Sequence, residues 1–151
     1  MDNLICNAKW ELGEDGSIPC FSDSGPITRD CFCWNGSHTC SLTLEKGRGN
    51  TACSRYELPI CVSGQCDLVW GYTMRVIDAC CIILRVKFCD AYGNLIDVQD
   101  KDITCEVGYE FNRQSACFHI PCTACMAFVS LHFEGKTTAC TFTEPFAYFC
   151  S

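Results

Sequence analysis

An all-β protein, a sandwich or jelly roll of eight or nine short antiparallel strands in one domain, is what this 151-residue sequence predicts. Three observations predict it. Apolar and polar residues alternate with a two-residue period through much of the chain, the helical three-and-four spacing is hard to find, and Gly, Asn, Asp and Pro recur at the short intervals that separate strands. The length suits one domain spanning 1–151, with 48% hydrophobic residues for its core and neither linker nor internal repeat.

In chain order, strands are expected at Leu4 to Trp10, Thr39 to Leu44 and Ser54 to Ile60, with turn chemistry at Gly47-Arg48-Gly49-Asn50. In Asp67 to Asp78, Leu68, Trp70, Tyr72, Met74 and Val76 fall on one face, with Thr73 and Arg75 on the other. In Cys81 to Cys89, Ile82, Leu84, Val86 and Phe88 point inward, while Cys81, Arg85, Lys87 and Cys89 point outward. Asp90-Ala91-Tyr92-Gly93-Asn94 reads as a hairpin turn. Gln114 to Ile120, Met126 to Phe133 and Ala139 to Phe149 complete the expected strands.

Seventeen cysteines in 151 residues mark a disulfide-rich protein. Chains of about this length bury roughly 68–70% of their unfolded surface without cross-links, so bridges are expected to add durability or to join subunits rather than to make folding possible. Because the count is odd, complete internal pairing leaves one sulfur over, free or bonded to another chain. The adjacent Cys80 and Cys81 cannot bond to each other without strain, and strand alternation sends their sulfurs to opposite faces. Cys6 and Cys150 lie near the two ends, where a small shift of the chain reaches a neighbour. These four are the candidates for intermolecular disulfides.

A formal charge of −7 with 11 Lys and Arg argues against nucleic acid or an anionic membrane as partner. No apolar run approaches the roughly 20 residues of a helical membrane span. The start, Met1-Asp2-Asn3-Leu4-Ile5-Cys6, has neither basic n-region nor apolar h-region, so the reading expects no secretory signal. Heavy cysteine use nonetheless points to an oxidising environment. A removed signal, a hyperthermophile cytosol, or a producing cell that lyses would each reconcile the two. The expected location is the cell exterior or a spore surface, reached by lysis of a mother cell.

Catalytic and metal signatures are lacking. Cys122-Thr123-Ala124-Cys125 is the only C-x-x-C, and it precedes a strand pattern rather than the helix that would activate a redox thiol. Cys31-Phe32-Cys33, Cys80-Cys81, His38, His119 and His132 show no zinc-finger or ribbon spacing. There is no G-x-S-x-G, H-E-x-x-H or phosphate-binding loop. Neither an enzyme nor a cofactor is expected.

The opening stretch, Asn3-Leu4, Asn7, Trp10-Glu11, Gly13, Asp15-Gly16 and Ile18-Pro19, resembles the start of galactose-binding-like, carbohydrate-binding-module jelly rolls, with Cys20-Phe21 where Gly-Trp is usual. Val62-Ser63-Gly64, Phe88-Cys89-Asp90 with Gly93-Asn94, and Phe118-His119-Ile120-Pro121 extend the resemblance over nearly the whole chain. It implies a single jelly-roll β-sandwich. It also implies a structural calcium near the chain ends, for which Glu11 and Glu144 stand in comparable places, although two carboxylates do not make a six-to-eight-oxygen site and solvated surface acids are the simpler account. For sugar binding, Trp34 and Tyr56 are the platform candidates; Trp70 and Tyr72, beside Arg75, share the apolar phase of their strand and are expected in the core.

The sequence thus predicts a self-assembling subunit of a disulfide-cross-linked fibre or coat, its partner itself. In having a small jelly roll, no signal and many cysteines it resembles bacterial endospore-appendage and spore-coat subunits, without the extended N-terminal arm carrying paired cysteines. The alternative is a disulfide-stabilised, lectin-like module that binds a surface glycan. A toxin or protease inhibitor is a third class, of usually shorter chains.

Overall fold

The computed structural model describes residues 2–34, 37–43 and 51–150, of which 30–34, 37–39 and 41–43 are described by backbone alone. Nine strands form among them: β1 (Phe21–Ser24), β2 (Ile27–Trp34), β3 (Ser37–Thr43), β4 (Ala52–Tyr56), β5 (Ile60–Cys61), β6 (Asp67–Cys89), β7 (Leu95–Asp102), β8 (Asn112–His119) and β9 (Met126–Cys150). One 3-10 turn, Thr104–Glu106, is the only helical element among the described residues. The turn expected at Gly47-Arg48-Gly49-Asn50 lies outside them.

Two very long strands organise the molecule. β6 and β9 pair antiparallel from Asp67↔Cys150 to Cys89↔Met126, and their register slips between Val76 and Cys81. The two expected strands on either side of residues 79–80 are therefore one strand, as are those at Met126 to Phe133 and Ala139 to Phe149. The slips turn the ribbon from one layer into the other, since each extra residue bends its strand and increases the local twist. In the first layer the order is β1, β4, the first half of β9, the second half of β6, then β7, with β5 also on β9. In the second it is β2, β3, the second half of β9, the first half of β6, then β8. Every pairing is antiparallel, which makes the architecture the jelly-roll β-sandwich that the alternation predicts.

Both layers turn their apolar phase to one contiguous core. Leu68, Trp70, Tyr72 and Met74 are fully buried from the second layer, and Ile82, Leu84, Val86 and Phe88 from the first. The Trp70 indole N–H donates to the carbonyl of Ser130 across the interior at 3.2 Å. Gly71 sits where β8 crosses closely: a Cβ there would come within 1.9 Å of the Gln114 carbonyl oxygen, so no larger residue fits without separating β8 from β6.

Residues 4–10 are not a strand, contrary to the expectation from their pattern. Asparagine side chains take the backbone groups that a ladder would have used. Asn3 accepts from the amides of Ile5 and Ala147 and donates to the Pro145 carbonyl, pinning the segment to β9. Asn7, at φ 57°, donates to the carbonyls of Glu11 and Pro19 and accepts from the Glu11 amide. This loop inserts Trp10 into the core, where its ring meets Phe21 of the first layer at 5.5 Å and Tyr72 and Phe142 of the second at 5.7 and 5.6 Å.

The turn expected at Asp90–Asn94 is present between β6 and β7: Asp90 accepts from the amides of Tyr92 and Asn94, and Gly93 takes φ 85°. β7 itself has no counterpart among the sequence expectations, nor do β1 and β2. All fifteen described cysteines stand as free thiols, so the disulfide-rich character expected from composition is not expressed as bridges here.

Candidate functional site

The registers put a row of side chains across the outer face of the first layer: Ser22 on β1, Arg55 on β4, Ser130 on β9, Arg85 on β6 and Asp100 on β7. A parallel row carries Ser24, Cys53, His132, Ile83 and Asp102, and Phe128 lies opposite Lys87 one step the other way. Alternation explains their common side, because the residues between them supply the core. Arg55, Ser130, His132, Phe128, Arg85 and Lys87 line a cleft of about 280 Å³, with Tyr56 and Glu57 at its rim.

Arg85 is held by a two-pronged ion pair with Asp100, at 2.7 Å from Nε and 3.0 Å from the terminal nitrogen. The guanidinium keeps the Asp100 carboxyl below the usual carboxylate range. Glu57 accepts from the Ser22 hydroxyl. Among the described residues neither Arg55 nor Lys87 has an ion-pair partner. His132 lies 2.7 Å, through Nε2, from the Ser130 hydroxyl. Burial, then the cations Arg85 and Arg55, push its pKa down to about 4, so the ring is neutral at physiological pH.

The lowered value has a stability consequence. Between pH 6.5 and about 4 the unfolded chain binds a proton that the folded His132 refuses, so stability falls as pH drops through this window and is unaffected by this group above it. Urea midpoints measured at pH 7 and pH 4.5 should show that loss, and His132→Asn should flatten it. An unchanged slope in the variant would mean that another group supplies it.

The sequence-predicted site residues are dispersed. Tyr56 borders the cleft but is buried, its ring packed on Phe21 at 5.2 Å and its hydroxyl taken by the Cys6 amide, so it offers no ring face to a sugar. Trp34 closes β2, and its side chain lies outside those described. Trp70 and Tyr72 are in the core, and Arg75 lies outside it over the Phe111 ring. Glu144, at φ 48°, occupies the irregular step of β9 and shares a cleft with Lys9 and Arg113, whereas Glu11 is exposed on the N-terminal loop and does not line it. Among the described residues no three His, Cys, Asp or Glu converge as metal donors.

Cys6 and Cys150 are exposed, Cys6 in the N-terminal loop and Cys150 at the end of β9. Cys80 is exposed at the bend beside Gly135, and Cys81 is half-buried with its sulfur 3.5 Å from Asp102. Cys89 points outward as expected yet is covered. Neither Phe128 nor Ser130 is among the residues the sequence marks for binding, and His132 is among them only as a metal ligand without the spacing. Their signal is an aromatic and an imidazole on the outward phase of a stretch whose inward phase, Ala127, Val129, Leu131 and Phe133, is wholly apolar.

No family matches the sequence, and no curated protein matches it. Solved structures share its fold. The enzymatically active domain of tailspike protein 4 from bacteriophage CBA120 aligns with TM-score 0.71 at 16% identity over 98% of this chain, which spans 21% of that one. The CBM61 module solved with β-1,4-galactotriose aligns with TM-score 0.63 at 11% identity, over 99% of this chain and all of the other. A family 16 carbohydrate-binding module aligns equally well, at 16% identity over 97% and 99% of the two chains. Two of these three neighbours are carbohydrate-binding modules, and what this chain shares with all three is the jelly-roll fold.

Proposed function

We propose that the protein is a non-catalytic glycan-binding module whose ligand lies on the outer face of the first layer. One observation carries this reading: Arg55, Lys87, Ser130 and His132, all able to hydrogen-bond sugar hydroxyls, line one cleft with the half-buried Phe128 ring on a sheet face, in a fold that carbohydrate-binding modules share. Sugar C–H faces pack on aromatic rings while fixed polar groups select hydroxyls. Calorimetric titration of the folded chain with galacto- and xylo-oligosaccharides and with uronate oligomers tests it. Saturable binding to one of them that is lost when Phe128 is truncated supports the reading, and no binding to any refutes it.

A second reading, the cross-linked surface or spore-coat subunit, is favoured by a separate observation. Eight described cysteines, Cys6, Cys61, Cys66, Cys80, Cys105, Cys117, Cys122 and Cys150, are exposed thiols, available to a neighbouring chain in an oxidising exterior. On that reading, material matured in air runs as an SDS-resistant ladder that collapses to 16.8 kDa on reduction, and replacing both Cys6 and Cys150 with Ser abolishes the ladder while leaving the fold intact. A non-reducing gel showing only monomer would remove the subunit reading and leave the glycan module. The two functions are compatible in one chain.

A further inference from the structure

We infer that the sugar held on this face is acidic, a saccharide whose carboxylate sits between Arg55 and Lys87; the inference rests on the glycan-binding reading above. The chain carries 11 Lys and Arg against 18 Asp and Glu, yet three of those cations, Arg55, Arg85 and Lys87, border one cleft. Arg55 and Arg85 flank Ser130 on successive strands, about 10 Å apart by strand spacing, and Lys87 lies two residues further along β6 on the same side.

The charge at the cleft is not balanced from within. Asp100 engages Arg85 in both prongs of its ion pair and so neutralises that cation alone. Glu57, the acid that lines the cleft, accepts from the Ser22 hydroxyl but keeps its charge, so Glu57 and Asp100 together leave one of the three cations unbalanced. Arg55 and Lys87 remain exposed and without an ion-pair partner among the described residues, which leaves both available to an anion. A guanidinium fork matches a carboxylate in two parallel hydrogen bonds, an ammonium adds a point charge, and the Phe128 ring opposite Lys87 gives the pyranose a stacking surface. Ser130 and the neutral His132 are then left to bond its hydroxyls.

His132 supplies a readout inside the site. The charged groups around it are Arg55 on β4, Arg85 and Lys87 on β6, Asp100 and Asp102 on β7, and Glu134 on its own strand. Burial and then the cations hold its proton affinity down, so a bound carboxylate that offsets the cations should raise it, and acidic ligands should bind more tightly as pH falls toward that value.

The test is titration of the folded chain, by calorimetry and by NMR of the His132 ring, with oligogalacturonate, with neutral galacto- and xylo-oligosaccharides of equal length, with a sulfated galactan oligomer, and with polyglutamate. The expected result is at least tenfold tighter binding of the uronate than of the neutral sugars, weakening with salt. An upward shift of the His132 titration on uronate binding should accompany it, and Arg55→Ala with Lys87→Ala should abolish the preference while the unfolding midpoint stays put. Neutral sugars binding as tightly as uronate would overturn the acidic ligand and keep the glycan module. Preference for the sulfated oligomer would overturn the carboxylate, equal binding of polyglutamate would show charge without sugar recognition, and no binding of any saccharide would overturn both readings.

Discussion

Trp10→Ala is expected to lower the stability of the protein by about 3–5 kcal/mol, the cost of truncating a fully enclosed large aromatic. Trp10 is 1% exposed although it belongs to a loop with no strand pairing of its own. Its three edge-on ring contacts, to Phe21, Tyr72 and Phe142, reach both layers, and each such pair adds about 0.5–1.5 kcal/mol beyond area burial. Removing the ring therefore opens the core between Phe21 of β1 and Tyr72 and Phe142 of the two long strands. Urea unfolding followed by near-ultraviolet circular dichroism measures the loss, and Trp10→Phe, which keeps an aromatic ring at the site, should lose less. If the alanine variant unfolds at the parental urea concentration, the N-terminal loop is not part of the cooperative core.

Phe128→Ala is expected to weaken oligosaccharide binding by at least tenfold, about 1.4 kcal/mol, while leaving the β fold in place. The ring is half-buried on the outer face of β9, opposite Lys87, so truncation removes a contact surface without opening the interior filled by Ala127 and Val129. The control is Tyr109→Ala, which removes an exposed ring from a separate cleft beside Arg75, Ile77 and Thr141 on the second layer. Calorimetry on both variants, with melting curves to show that each is folded, separates the faces. Binding that survives Phe128→Ala and disappears with Tyr109→Ala would move the site to the second layer.

Fold class was legible because it depends on local pattern. Strands with one face in the core, such as Asp67 to Asp78 and Cys81 to Cys89, must alternate, and their alternation identifies both the strand and its inward side. β7 escaped detection for the opposite reason: it is an edge strand, largely exposed on both faces, and nothing forces Leu95–Asp102 into a period of two. The unbroken course of β6 was hidden where the register slips between Val76 and Cys81, since each slip resets the phase on which the pattern depends. Residues 4–10 misled in the other direction, because their alternation is that of a loop tied down by asparagine side chains.

By itself the sequence determined the β class, the inward faces of the long strands, the turn at Asp90–Asn94 and the acidic balance of the chain, all of them properties of neighbouring residues or of composition. It also placed Arg85 and Lys87 on an outward face. Only the tertiary structure decided that Arg55, Arg85, Lys87, Phe128, Ser130 and His132 share one cleft, because that follows from the registers of β4 and β6 on β9, which set Arg55 opposite Ser130, 75 positions on, and Lys87 opposite Phe128, 41 positions on. Burial decided the rest. It covered the Tyr56 ring and lowered the proton affinity of His132, and how deeply a side chain is covered depends on the other layers of the fold.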